Sequence, residues 1–510
     1  MGKKTWLILA IIIALAVFLR FFDLARVPPG LYPDEAMNGN NALEALANKD
    51  WKVFYPENNG REGLFINLQS LSLAVFGNKP WALRLVSAVF GTFTVLGLFF
   101  LSKALFENHQ IALLASFFLA ASFWHINFSR IGFRAIMAPF FLVWGLYFFF
   151  KFFKDQGSSA AQTLAAAFGG FLFGLGAHSY IAYRITPLLL LTPLIYRSPT
   201  STGSRTSCFP CLAALFLFFA FLAFAPLGLY FAENPADFFG RTNQISIFSE
   251  SAPLKALSVN IVKTLGMFWF YGDGNWRHNF SGSPQLSLPV GIFFFIGLWL
   301  ALKNLRSFNS VFLLSWLIIA LLPVIISAEG LPHALRAIMA IGPVMILAGW
   351  GGIYIFEKIK NWRPARVLFA AILLFIAFES FDKYFLNWAP APQVYFAFAA
   401  DSVELGEDLN ALPKELPKYV VVNAVGVEVR GIPMPAQTIM FITDTFRPGR
   451  QQEKNIFYLR REGIPYEELR AREHLAIALL EFEPALRAEI QKNIPGLKSR
   501  TVGRSVFMIK

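Results

Sequence analysis

Apolar runs of bilayer-spanning length recur along this chain, separated by short polar stretches. The candidates are residues 6–22, 81–101, 111–128, 133–153, 163–180, 185–196, 212–231, 288–302, 311–326, 336–356 and 367–385. That is about eleven segments, the pattern of a polytopic helical membrane protein. Residues 64–76 differ: they are amphipathic, with Asn67, Gln69 and Ser70 on one side. This pattern predicts a helix lying along the membrane surface. A second amphipathic helix is expected over 35–46. From Ala389 to Lys510 the chain becomes soluble in character. Short strands are expected at 419–422, 439–442, 456–459 and 506–509, and a helix over 474–493, ended by Pro495-Gly496. The expected architecture is therefore a transmembrane domain, residues 1–388, followed by a small α/β domain, residues 389–510.

Lys and Arg orient the spans. With the N-terminus inside, Lys103, Lys151, Lys154, Arg197, Arg205, Lys303, Arg306, Lys358, Lys360, Arg363 and Arg366 fall on cytoplasmic connections. Two long outer segments remain, 23–80 and 232–287, and the C-terminal domain is extracytoplasmic. Met-Gly-Lys-Lys before an apolar run resembles a signal peptide, but no small-residue cleavage site follows, which predicts a retained anchor. A bacterial or archaeal plasma (inner) membrane suits this topology.

Composition agrees. Only 15% of the 510 residues are charged and 56% are hydrophobic, where a soluble chain carries about a quarter charged. The net charge of +13 is accounted for by cytoplasmic positives and anionic lipid, so nucleic acid is not an expected partner. Cys208 and Cys211 form a single C-x-x-C. One pair is too few for a disulfide framework or a four-ligand zinc site, and reads as structural at a helix start.

Against this apolar background the polar outer turns stand out. Leu31-Tyr-Pro-Asp34-Glu35 places two adjacent carboxylates just after the first span. Carboxylates suit a helix N-terminus, so an N-cap role competes with a catalytic one. Arg61 and Glu62 precede the interfacial helix. Arg130 and Arg134 lie in His125-Ile-Asn-Phe-Ser-Arg130-Ile-Gly-Phe-Arg134, His178, Tyr180, Tyr183 and Arg184 in the next outer turn, and Glu329, His333 and Arg336 in the last. Tyr271-Gly-Asp273-Gly-Asn-Trp-Arg277-His278-Asn279 is the densest polar stretch. Arginines at helix ends also snorkel to headgroups. Several of them on one face, beside His, Tyr and Asn, suit a phosphate, because a guanidinium donates two parallel charge-assisted bonds. A phosphate at the outer interface is what a lipid-linked sugar presents. Nearby carboxylates then supply a base for an attacking hydroxyl. Asp34, Glu35, Asp273 and His278 are candidate ligands for a divalent cation, and a hydrogen-bonded loop is the competing account of 271–279. His125 reads as a satisfied helix-end histidine.

These residues resemble the C superfamily of membrane glycosyltransferases, in its branch of protein O-mannosyltransferases and lipid A aminoarabinose transferases (glycosyltransferase family 39-like). The matching features are Tyr32-Pro-Asp34-Glu35-Ala, Arg61-Glu62-Gly63-Leu64 before a short apolar helix, Leu83-Arg84-Leu-Val-Ser-Ala-Val-Phe-Gly91, the Phe-Ser-Arg130 turn and His333-Ala-Leu-Arg336. They span roughly residues 6–385. The resemblance implies an inverting transferase that uses a sugar on a polyprenyl phosphate, with Asp34 as catalytic acid and Glu35 beside it. It places Arg61 toward the donor phosphate, for which guanidinium chemistry also makes Arg130, Arg134, Arg184 and Arg336 candidates. Glu62, His178, Tyr180, Asp273, Arg277, His278, Asn279 and His333 become candidate contacts to acceptor or donor. The expected partners are the lipid-linked sugar, an acceptor glycan, lipid or protein, and the bilayer. Many relatives have a basic residue followed by two prolines where this chain has Arg61-Glu62-Gly63, so sugar and acceptor are not fixed by the likeness.

Two other classes compete. A transporter or lipid flippase would show paired broken helices, mid-membrane charges and internal pseudo-symmetry; here the charges cluster at one interface and no repeat is visible. An assembly factor docking through its tail leaves the Asp34-Glu35 and arginine sets unexplained.

Overall fold

A computed structural model describes every residue except 1, 155–158, 196–207, 245–246 and 250–251. The basic residues Arg197 and Arg205 and the Ser/Thr-rich stretch 198–207 therefore lie outside the described residues.

Among the described residues, eight helices are long and apolar enough to cross a membrane, or nine when the bent pair His109–Ala120 and Phe123–Arg130 counts as one span. With two shorter apolar helices they fall on the eleven expected segments. The bend of 56° interrupts the expected 111–128 run. Its cause is local: Ser122 N-caps the second helix, its hydroxyl accepting the His125 N–H. The other two expected spans, at 185–196 and 288–302, are the shorter apolar helices Ile181–Pro193 and Leu288–Lys303. Pro187 lies inside the first of these, where 3₁₀ turns replace α-helix. Gly170 and Gly174 let the helix Ser159–Leu175 approach the helix Phe209–Glu233. A Cβ at either glycine would collide with backbone carbonyls of Phe216 and Ala220. Cys208 and Cys211 are disulfide-linked at the start of that second helix, as N-cap and first-turn residues.

The chain divides into two compact units. The first comprises Met1–Leu24 and Arg84–Trp388; the second comprises Ala25–Leu83 and Ala389–Lys510. The join at 388 lies at the change in composition, but the segment Ala25–Leu83 groups with the tail.

The first unit begins with α1, Lys3–Phe21. The second begins with α2, Pro33–Asn48, and α3, Gly63–Phe76, the expected interfacial helix. Between α2 and α3 lies a small antiparallel pair, β1 (Phe54–Tyr55) and β2 (Arg61–Glu62). The tail contributes β3 (Lys418–Val422), the hairpin β4 (Glu428–Val429) and β5 (Ile432–Pro433), then β6 (Ile456–Arg460), β7 (Ala476–Leu479), β8 (Lys498–Val502) and β9 (Ser505–Ile509). Its main sheet runs β6-β3-β7-β9-β8, with β6, β3 and β7 parallel. Two expectations fail here. Residues 439–442 lie in the helix Gln437–Thr443, buried by neighbours all round, so alternation along the run carries no information. The expected helix over 474–493 is β7 followed by the helix Pro484–Asn493. A central strand covered on both faces reads as a continuous apolar run, Ala-Ile-Ala-Leu, and Pro484 starts the helix late.

The tail packs on the segment Ala25–Leu83 within this unit. Leu31, Ala36, Ala42, Leu83 and Phe441 share one core cluster, and Met37 joins Val429, Met434, Met440 and Phe446 in another. Polar ties accompany them: Asn40 Nδ2 donates to Gln437 Oε1 at 2.9 Å, and the Thr438 hydroxyl donates to the Leu31 carbonyl at 2.9 Å.

Candidate functional site

In the second unit the two acids part company. Pro33 opens α2 with its φ already helical, which puts Asp34 and Glu35 in the first turn. Glu35 is fully buried and its carboxylate accepts the Tyr32 backbone N–H at 3.2 Å. That is a helix-capping task. Asp34 stays half-buried, and its Oδ1 accepts Asn58 Nδ2 at 2.7 Å. Asn58, Asn59 and Gly60 have φ of 52°, 62° and 77°, left-handed values that Asn and Gly tolerate best. The turn closes through the Gly60 N–H to the Pro56 carbonyl at 3.1 Å. Arg61 then runs back under α2. It is buried, donating to Asn38 Oδ1 at 2.8 Å, Asn41 Oδ1 at 2.5 Å and the Glu57 carbonyl at 3.3 Å. Its fork is engaged within the protein. Glu62 is buried at the N-cap position of α3.

In the first unit, the loop 271–283 folds around Asp273. Asp273 is buried; its Oδ1 accepts the Asn275 N–H at 2.8 Å, and its Oδ2 accepts the Ala334 N–H at 2.8 Å and His278 Nδ1 at 3.0 Å. His333 Nδ1 lies 3.8 Å from the same oxygen. One ligand atom from each of Asp273, His278 and His333 falls within 4.8 Å of the others, the one such group of three among the described residues. The two imidazoles are 4.9 Å apart, and Phe128 flanks His278 at 5.7 Å. Burial pushes the Asp273 carboxyl up, but the His278 bond, the His278 and His333 charges and the Asn275 N–H outweigh it and hold the group below its usual range. Burial first, then the charges of His278 and Arg336, hold His333 well below the ordinary histidine value. Asn279 is buried and donates to the carbonyls of Asp273 at 3.2 Å and Ser283 at 2.6 Å, so it shapes the loop. Arg277 Nε donates to Asn275 Oδ1 at 3.2 Å, while its carbonyl accepts Asn127 Nδ2 at 2.7 Å. Arg336 donates to the Ser327 hydroxyl and, at 2.9 Å, to the Glu329 carbonyl.

Two of the remaining expected arginines bond to backbone carbonyls. Arg130 is fully buried, donating to the carbonyls of Leu19 at 3.1 Å and Phe22 at 2.7 Å at the end of α1, with Phe385 4.8 Å away. Arg184 donates to the Phe238 carbonyl at 2.8 Å and lies over the rings of Phe231 and Phe238. Arg134 is half-buried at the start of the short 3₁₀ turn Arg134–Ile136. His178 Nε2 pairs with the Ala223 carbonyl at 2.9 Å, and Tyr180 precedes the 3₁₀ helix Ile181–Leu190. Asp273, His278 and His333, with Arg277, Asn279 and Arg336, are therefore gathered; His178, Tyr180, Arg130 and Arg184 are engaged elsewhere. His125 is buried, its Nδ1 2.8 Å from an Arg20 guanidinium nitrogen.

Sequence reasoning passed over Asn38, Asn41, Glu57, Asn58 and Arg430. The amides had one signal: Asn-Gly-Asn-Asn inside a helical stretch defies helix propensity and marks a polar face with partners.

Residues 64–230 match the family profile described as dolichyl-phosphate-mannose-protein mannosyltransferase. No curated protein matches the chain in sequence. Among solved structures, ArnT from Cupriavidus metallidurans bound to undecaprenyl phosphate is 15% identical with a TM-score of 0.63, covering 100% of this chain and 98% of that one. Its apo form gives 14% identity and 0.63 over the same shares. The Archaeoglobus fulgidus oligosaccharyltransferase in complex with Zn and sulfate gives 16% and 0.51, covering 92% of this chain and 68% of that one.

Proposed function

We propose that this chain, which has the fold of the C-superfamily membrane glycosyltransferases, is an inverting transferase that moves a sugar from a polyprenyl-phosphate donor to an acceptor on the outer face of the membrane. One observation carries the reading: of two adjacent acids at the start of α2, Glu35 is buried in the cap while Asp34 is half-buried on one hydrogen bond from Asn58. A carboxylate held this way is oriented and still accessible to an acceptor hydroxyl. The full-length likeness to a protein bound to undecaprenyl phosphate supports a lipid-linked donor.

In this mechanism Asp34 accepts the proton of the acceptor hydroxyl as that oxygen attacks the anomeric carbon. The glycosidic C–O bond breaks, the configuration inverts and a polyprenyl phosphate departs. Of the expected arginines of the first unit, half-buried Arg277 and buried Arg336 suit a phosphate best, because they flank the Asp273–His278–His333 cluster. Asp273, His278 and His333 suit a divalent cation: two imidazoles and a carboxylate are a zinc-type donor set, and the Ala334 N–H orients the carboxylate. A cation there would supply positive charge for phosphate oxygens.

The test is incubation of purified protein with a panel of radiolabelled polyprenyl-phosphate pentoses and hexoses, followed by product analysis. No transfer from any donor, by protein shown to be folded, would sink the reading. Within an active assay, Arg336→Ala is expected to raise the donor KM about tenfold or more with little change in kcat, the effect of losing a charge-assisted bond. An unchanged donor KM would mean that Arg336 only braces Ser327 and Glu329.

A further inference from the structure

We infer that Arg430, far along the chain in the tail, is a positioning residue for Asp34; the inference rests on the reading of Asp34 as the base. Arg430 and Gly431 form the two-residue turn between β4 and β5, with φ of 51° and 79°. Both positions of such a turn demand left-handed backbone, where Asn or Gly is the ordinary choice and Arg is strained. The strained residue carries the side chain that reaches farthest. Its guanidinium donates to both carboxylate oxygens of Glu44, at 2.7 and 2.9 Å, and through Nε to Glu57 at 2.8 Å, while lying 4.3 Å over the Phe446 ring.

Glu57 is the hinge of the arrangement. Its second carboxylate oxygen accepts Asn41 Nδ2 at 2.8 Å and its carbonyl accepts Arg61 Nε at 3.3 Å. The next residue is Asn58, whose amide holds Asp34 at 2.7 Å. Every contact lies within the second unit. The base of the β4–β5 hairpin is fixed by Val429 and Met434, which pack with Met37, two residues beyond Glu35 on α2. The tail therefore braces both sides of the Asp34 contact: α2 through Met37 and Glu44, and the Asn58 turn through Glu57.

Arg430→Gly separates this role from folding, because glycine relieves the turn while removing the clamp. The thermal unfolding midpoint of the detergent-solubilised full chain is expected to hold or rise. Hydrogen–deuterium exchange of peptides spanning 31–62 should accelerate about tenfold, with exchange in β3 and β7 unchanged. Turnover with the donor found active in the polyprenyl-phosphate panel should drop about ten- to hundredfold, with donor KM within about twofold, as for a misplaced catalytic group. Arg430→Lys, which keeps the charge without the fork, should recover part of the loss. Unchanged exchange over 31–62 overturns the brace whatever the activity. Faster exchange with unchanged kcat, in a protein that Asp34→Asn inactivates, overturns the positioning role alone. Turnover retained in Asp34→Asn removes the base itself, which is a separate failure.

Discussion

Asp34→Asn is expected to leave the protein folded and membrane-inserted while lowering sugar transfer about a thousandfold, within the range ascribed to a lost general base. The isosteric amide keeps an oxygen toward Asn58, whose Nδ2 now donates to Oδ1 at 2.7 Å, so the turn at 57–60 has no reason to open. Proton acceptance is lost, and kcat should fall while donor binding persists. Glu35→Gln provides the contrast. Glu35 is fully buried and accepts the Tyr32 N–H, a bond the amide oxygen can still accept, so its effect should be modest and appear in stability. Transfer assays on both variants, beside unfolding midpoints, check the pair. Full activity in Asp34→Asn would remove this carboxylate from the chemistry.

Asp273→Ala should have the second-largest effect. It removes the acceptor for three donors at once: the backbone N–H groups of Asn275 and Ala334, and His278 Nδ1. Stranding buried donors costs about 3 kcal/mol in comparable settings, and the loops 271–283 and 327–336 lose the oxygen that ties them. It also removes one of three candidate ligands, so metal affinity should drop more than the roughly hundredfold seen when an outer-shell partner is lost. Elemental analysis of protein purified without a histidine tag or chelator is the direct readout. Near-stoichiometric zinc or another divalent ion in the parent, lost in Asp273→Ala and His333→Ala, supports a cation site. Metal-free parent protein that is fully active would leave a hydrogen-bonded cluster whose work is to shape the loop.

Much of the membrane part was readable because spanning length is a one-dimensional property. A run of apolar residues either reaches across a bilayer or falls short, and only the bend at Ser122 and the two short helices at 181–193 and 288–303 required coordinates. Pairing at a distance is another matter. Nothing in one sequence says that Asn40 meets Gln437, or Arg430 meets Glu44 and Glu57. The arginines show the same asymmetry: a sequence displays donors but not the backbone carbonyls that receive them. Arg130 and Arg184, with bonds to Phe22 and Phe238, were indistinguishable on paper from Arg336. The Asp34-Glu35 pair was visible because two charges after an apolar span are costly. Which of the two is held back from the solvent depends on a cap and on a turn whose Asn58 lies 24 residues beyond Asp34, a matter of geometry alone.

Because the second unit is assembled from Ala25–Leu83 and Ala389–Lys510, its halves leave the ribosome at very different times. At typical elongation rates of about 5–20 residues per second, about three hundred intervening residues impose a delay of roughly 15–60 s. During that interval Met37, Asn40 and Leu31 have none of the tail neighbours that later cover them. The nascent α2 must be shielded by lipid or by a chaperone until the last hundred or so residues arrive. Truncation by a premature stop codon downstream of Trp388 would thus yield a bundle that is threaded through the bilayer yet carries an unfinished second unit, a natural substrate for quality-control proteolysis.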